Sequence, residues 1–286
     1  MRRPNVIEKE SGQIETVEDL TGVFESIAST QVAKVKGKVE LSKQFFQLLW
    51  KRYTSLRINP EVRITNRDAV GSNDRTVFVV ISAEAGLSGD IDQRLIETML
   101  QDYDRRTTDI IVLGTHGATQ LMQRDIPFIR FFKVPETDRY IDVSPVISAV
   151  MPYARTIVYY EEYVSLGAQG VRTIDLVSSM RDMSEDADED TMTADDTIFE
   201  PSLEEIAYKM ETTMMTLALS QTILESTLAQ AASRFNAMAG AKKRAGEMLG
   251  DYRLEFHRAK RSESDRRLRE VLVSLKEKRK RMGAHR

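Results

Sequence analysis

Residues 210–259 read METTMMTLALSQTILESTLAQAASRFNAMAGAKKRAGEMLGDYRLEFHRA. One apolar stripe runs through them at 3-4 spacing: Met210, Met214, Leu217, Gln221, Leu224, Leu228, Ala231, Phe235, Met238, Lys242, Ala245, Leu249, Tyr252, Phe256 and Ala259. Only Gln221 and Lys242 interrupt it with polar side chains. No proline follows Pro201, so the pattern predicts a helix of ~80 residues and ~120 Å, at 1.5 Å rise per residue. A compact domain has no use for such a helix, and a heptad seam of this length asks for a partner helix.

The other end of the chain supplies the candidate. From Asn5 to Asn59 there is again no proline. Leu20, Phe24 and Ile27 open a 3-4 pattern, which slips by one residue and continues as Ala28, Val32, Val35, Val39, Ser42, Phe46, Leu49, Tyr53 and Leu56. A slip of that size is what a 3.6-residue helix accumulates against a 3.5-residue repeat. The expectation is an antiparallel pair, Ile27 to Leu56 on Met210 to Leu249, with Val35 near Phe235.

Composition fits long solvated helices. Of 286 residues, 41% are hydrophobic and 30% charged, and the net charge is -3. That charge gives no general bias toward nucleic acid. With no cysteine there is no disulfide, thiolate metal site or cysteine nucleophile. Met1 to Gly12 is polar and lacks the apolar stretch of a secretory signal, and no run approaches the 18 apolar residues of a membrane span. Charge is segregated: Glu185, Asp186, Asp188, Glu189, Asp190, Asp195 and Asp196 lie together without a base, whereas Arg253 to Arg281 is strongly basic. The acidic run reads as a solvated loop, without the register or glycine of a calcium loop.

Between the two helices the period changes. Thr76 to Ser82 (TVFVVIS) and Asp109 to Gly114 (DIIVLG) are β-branched apolar runs suited to buried strands. Ile91, Leu95, Ile96, Met99 and Leu100 repeat at helical spacing between them. A short helix over Gly117 to Gln123, a third strand over Ile129 to Val134 and a helix opening at Pro145 follow. Thr156 to Ser165 and Val171 to Val177 form a hairpin around a Gly167–Gly170 turn. The alternation implies a small Rossmann-like parallel sheet with helices packed on it and at least one antiparallel strand at its end.

Candidate chemistry is sparse. Gly86-Leu87-Ser88-Gly89 lies between a strand and a helix, where phosphates bind, but neither a P-loop lysine nor a dinucleotide fingerprint accompanies it, so it reads as a structural turn. His116 follows a strand, with no second histidine or carboxylate at ligand or triad spacing, and reads as a loop histidine without a chemical role. His257 sits among bases on the long helix. No catalytic, cofactor-binding or metal-binding residues are assigned.

The chain resembles the gamma subunit of F-type ATP synthases over nearly its whole length. Thr16 to Val32 is similar to the family's N-terminal helix at Leu20, Thr21, Ile27 and Ala28. Val77 to Asp92 is similar to its strand and turn at Ser82, Gly86, Leu87 and Gly89. Glu200-Pro201-Ser202 resembles the opening of its C-terminal helix, and Leu224-Glu225-Ser226, Ala237-Met238, Ala241, Ala245-Gly246 and Leu254 line up with that helix without a gap. Departures mark a divergent member. Lys242-Lys243-Arg244 stand for the family's Thr-Asp-Asn, Lys260 and Arg261 for its Arg-Gln pair, Ser264 and Asp265 for its Ile-Thr, and Glu25 for a usual lysine.

The resemblance implies an α+β chain: a long antiparallel coiled coil of the terminal helices (residues 1–60 and 201–286) and a small α/β domain (61–200, with an acidic loop at 181–199). It implies a central rotor that performs no bond chemistry, holds no cofactor and contacts the alpha and beta subunits of a catalytic hexamer, the epsilon subunit and the c-subunit ring. It places the protein peripherally at the cytoplasmic face of the cell membrane, in a proton- or sodium-translocating ATP synthase. The expected contacts to the hexamer are Lys242, Lys243, Arg244, Arg258, Lys260, Arg261 and Glu25. No nucleic acid is expected. The alternative is a basic coiled-coil module that binds nucleic acid or another hexameric ATPase, which Lys276 to Arg281 would serve.

Overall fold

The computed structural model describes residues 2–55, 73–134, 141–176 and 203–283. The acidic run and Leu56 lie outside them. The elements in order are α1 (Pro4–Ser55), β1 (Asn73–Ile81), α2 (Ile91–Asp102), β2 (Thr108–Leu113), α3 (Thr115–Gln123), β3 (Arg130–Phe132), α4 (Ser144–Val150), β4 (Tyr153–Ser165), β5 (Ala168–Asp175) and α5 (Leu203–Gly283). The fold class is therefore the expected one: a long helix at each end and a sheet between. The contacts divide the chain into two units, one of residues 1–25 with 238–286 and one of residues 26–237.

The larger unit holds a five-stranded sheet in the order β3-β2-β1-β4-β5, parallel except for β5. Strand residues alternate between two apolar faces, which is why these strands read as continuous hydrophobic runs. Phe78, Val80, Ile110, Val112 and Tyr159 face α2 and α3, packing on Leu95, Ile96, Met99 and Leu121. Val77, Val79, Ile81, Ile111, Leu113, Val158 and Tyr160 belong to the opposite core, with Val35 and Phe46 of α1, Val146 and Ile147 of α4, and Met214 to Leu228 of α5. Each fully buried Leu, Ile or Met side chain contributes about 1.5–3 kcal/mol.

In this unit α5 is buried on more than one face. Met214, Gln221, Leu224, Leu228 and Ala231 of the predicted seam are buried, and so are Met215, Ala218, Leu219, Ser226, Ala229 and Ser233. A single-stripe reading of 210–235 therefore captured only part of the packing.

Two glycines set how closely α3 approaches β1. Gly114 has φ 101°, a conformation that side chains resist, and a Cβ there would overlap the Ser82 carbonyl. A Cβ on Gly117 would strike the Ser82 side chain. Without them, Ser82 Oγ donates to Leu113 O and accepts from Gly117 N, both at 2.9 Å.

The hairpin is tighter than expected. Ser165 pairs with Ala168 across a two-residue Leu166-Gly167 turn, and Gly170 lies inside β5 opposite Glu162. Two-residue connections suit the twist of paired strands.

The smaller unit is an antiparallel helix pair. Glu25 on α1 meets Lys242 on α5, and Glu18 lies beside Gly246, so α1 descends as α5 ascends. The α5 side of the seam follows the predicted heptad, with Met238, Ala245, Leu249 and Ala259 buried. The α1 side does not. Leu20, Phe24 and Ile27 are exposed, at 52%, 38% and 47%. The burial pattern in this unit instead runs Ile7, Ile14, Glu18, Thr21 and Glu25; in the larger unit the pattern on α1 runs Ala28, Val32, Val35, Val39, Ser42 and Phe46, again at 3-4 spacing and with no slip. The slip came from following apolar residues through a stretch where the inward positions are polar.

Candidate functional site

The expected contact residues all fall in the helix pair. Lys242 Nζ reaches Glu25 Oε2 at 3.0 Å, and its aliphatic stem lies over Gly22. Two residues expected to face outward thus bind each other, in a partly exposed ion pair of ~0–1 kcal/mol. Lys243 and Arg244 are exposed beside them. One stretch further along α5, Arg258, Lys260 and Arg261 are exposed, with Lys260 Nζ 5.7 Å from the centre of the Phe256 ring. His257 is exposed and stacks edge-on against Phe256. The helix thus brings the three bases onto one short segment, anchored by a half-buried aromatic ring.

The glycine turn of the larger unit lies at the crevice where strand order reverses, outside the carboxyl ends of β1 and β4. In open α/β sheets that crevice seats ligands. Here α5 fills it. Arg234 donates to the carbonyls of Ala85 (3.0 Å) and Gly86 (3.3 Å), and Ser233 Oγ donates to Ser88 O at 2.6 Å. Leu87 and Gly89 both adopt positive φ in the turn, at 68° and 71°. The first turn of α2 carries a buried carboxylate, Asp92, which would repel a phosphate. The turn is held against α5 by these bonds.

His116 is not the isolated loop residue its sequence neighbourhood suggested. It lies in the first turn of α3, and its Nδ1 is 2.9 Å from Asp92 Oδ2. Asp92 Oδ2 also accepts from Ser88 Oγ at 2.9 Å, and Oδ1 from Ala83 N at 2.8 Å. Beside Asp92 lies Glu161 of β4, wholly buried. Its Oε2 accepts from Ser226 Oγ at 3.0 Å, and Gln230 Nε2 donates to the same hydroxyl at 3.0 Å. Burial first, and the charge of Asp92 second, raise the Glu161 pKa well above the usual glutamate value. The sequence held a signal for this residue, a carboxylate inside the apolar run TIVYYEEYVS. Among the described residues no group of side chains has the makings of a metal site, and no helix is long and apolar enough to cross a membrane.

The chain is thus a sheet whose crevice is occupied by its own C-terminal helix, with a long helix on either side of the sheet in sequence. Comparison with known proteins gives the family. The family model described as ATP synthase matches residues 5–274. The chain is similar to the ATP synthase gamma chain of Clostridium novyi, with 21% identity covering 93% of this chain and 95% of that one. It is also similar to the gamma chain of Cytophaga hutchinsonii, with 24% identity covering 69% and 72%. Among solved structures, a chain of the Euglena gracilis mitochondrial ATP synthase in rotational state 3 superposes with a TM-score of 0.64 at 14% identity, covering 95% of this chain and 94% of its own. A central-stalk chain of the Tetrahymena thermophila enzyme gives 0.56 at 15% identity, covering 78% and 99%. The chain belongs to the ATP synthase gamma-chain family, as a divergent, non-catalytic member.

Proposed function

We propose that this chain is the central-stalk rotor of an F-type ATP synthase. Turning within a ring of alpha and beta subunits, it imposes a different conformation on each catalytic site in succession. A moving asymmetric contact of this kind biases a multi-state element. Residues 1–60 and 201–286 serve as the shaft. Residues 61–200, with the acidic loop 181–199, serve as the part that meets the epsilon subunit and the c-subunit ring. The coupling ion is a proton or sodium, and the working place is the cytoplasmic face of the cell membrane. The observation that carries this reading is the gamma-chain match over residues 5–274 in a chain whose two ends form long helices.

Arg258, Lys260 and Arg261 are the proposed contacts to acidic loops of the hexamer, with Lys243 and Arg244 beside them. Lys242 and Glu25 take part through the ion pair they form with each other. Because exposed pairs are weak, such attractions exchange partners readily as the shaft turns. The test is purification of the tagged chain from its native cells. Recovery of a nucleotide-hydrolysing hexamer in stoichiometric amount supports the reading. Recovery of nucleic acid without that hexamer refutes it and favours the basic-module alternative.

A further inference from the structure

The rotor reading leaves one group of side chains unused: the buried carboxyls at the sheet crevice. Their hydrogen bonds determine where a proton must sit. Both oxygens of Asp92 accept, Oδ1 from Ala83 N and Oδ2 from Ser88 Oγ, and Oδ2 also meets His116 Nδ1. Glu161 uses Oε2 for Ser226, but its Oε1 is buried and meets no donor. A carboxylate oxygen in that position would be an uncompensated charge in the interior, which folding strongly disfavours. After burial itself, the nearby charge of Asp92 is what most raises the Glu161 pKa, and two neighbouring buried carboxyls resist both being ionised.

We propose that Glu161 and Asp92 form a buried acid pair that holds a single proton on Glu161 Oε1, and that this proton ties β4 to α2 and, through Ser226, to α5. The titratable and charged groups around the pair come from two elements: His116 of α3, in contact with Asp92, and Arg234 of α5. Glu225, the residue just before Ser226 on α5, faces Tyr160, Glu162, Arg172 and Lys43 instead. Loss of the proton to solvent leaves two neighbouring carboxylates, within the electrostatic reach of Arg234.

A proton suits this site better than a metal. The side chains around Glu161 are donors, Ser226 and Gln230, and an arginine already lies close by. The sign of the linkage follows. Folded Glu161 holds its proton more tightly than the unfolded carboxyl does, so its contribution to stability is complete below the ordinary value of 4.5. The contribution is lost as pH rises from there through the raised folded value.

The experiment is thermal unfolding of the full chain from about pH 5 to about pH 9, for wild type and Glu161→Gln. Within the window the wild-type unfolding constant should grow by about tenfold per pH unit relative to the variant, which is one proton's linkage. Infrared spectroscopy of the wild type near neutral pH should show a protonated carboxylic acid band that disappears in Glu161→Gln. In Asp92→Asn, which removes the neighbouring charge, that band should vanish at lower pH. If Glu161→Gln fails to fold, the wild-type infrared titration decides alone. Absence of the band at neutral pH, or the same pH slope in wild type and variant, overturns the proposal. So does stabilisation of the wild type by sodium or calcium at high pH, which would make the pair a cation site.

Discussion

Replacing Gly114 by alanine should be the most damaging single-methyl change in the sheet unit. The residue sits at φ 101°, where an L side chain costs about 1–3 kcal/mol. The added Cβ would overlap the Ser82 carbonyl, a backbone atom that cannot rotate away. That carbonyl belongs to the residue whose N–H bonds Leu113 O at 2.8 Å and whose hydroxyl accepts from Gly117 N, so displacing it disturbs the packing of α3 on β1. Overpacking of this kind costs about 1–3 kcal/mol. The two terms sum to roughly 2–6 kcal/mol against a total stability of about 5–15 kcal/mol. At about 2–4 °C per kcal/mol for a unit of this size, Tm should fall by roughly 4–24 °C. Circular dichroism melting of the isolated chain measures it. Gly250→Ala is the control: it lies in α5 with nothing within 4 Å of its added Cβ, and helix propensity should raise stability by about 0.8–1 kcal/mol. A Gly114→Ala melting curve that overlies wild type would refute the close-approach argument.

Tyr159→Phe keeps the ring against Phe78 but removes the hydroxyl that donates to Asp102 Oδ2 at 2.8 Å. Chemical denaturation should register a loss of about 1.5–3 kcal/mol. In a chain with no native cysteine, Thr21→Cys with Ala245→Cys should form an intrachain disulfide on oxidation, since the flanking Glu18–Gly246 and Glu25–Lys242 contacts set the register. Only intermolecular dimers would contradict the antiparallel pair. Converting Arg258, Lys260 and Arg261 together to glutamate should leave the hexamer assembled but slow ATP-driven rotation sharply, since like-charge juxtaposition costs several kcal/mol. The same reversal at Lys276, Lys278 and Lys280 should not. Unchanged single-molecule torque and rate in the first variant would show that segment to be merely solvated.

Much of the sheet was readable in advance because buried parallel strands announce themselves as β-branched runs. TVFVVIS and DIIVLG fall on β1 and β2 within a residue or so at the C-terminal ends. The seam of α5 over Met238 to Ala259 was readable for a similar reason: a helix with one covered face displays its period. The matching face of α1 was not. Its inward positions Glu18, Thr21 and Glu25 are polar, and they are tolerated because a lysine and a glycine lie opposite. Meanwhile Leu20, Phe24 and Ile27 point outward with a convincing helical spacing. Apolar periodicity locates a face, but it cannot say which face is covered when the partner's chemistry is mixed. The acid pair was hidden for another reason. Asp92 and Glu161 are far apart in the chain, and only the parallel order of β1 and β4 brings them together.

Within the sheet unit, α5 bonds to the loops and strands around it at four places: Ser226 to Glu161, Ser233 to Ser88, Arg234 to Ala85 and Gly86, and Asn236 to Leu166. These attachments span about 15 Å of helix at 1.5 Å per residue, and they grip the sheet at both the crevice turn and the hairpin turn. Mechanically this is a splined joint. A twist applied to this stretch of α5 meets several fixings at different angles around the helix, so the sheet is carried round with it without slipping. A single point of attachment would act as a pivot, whereas a distributed one transmits torque.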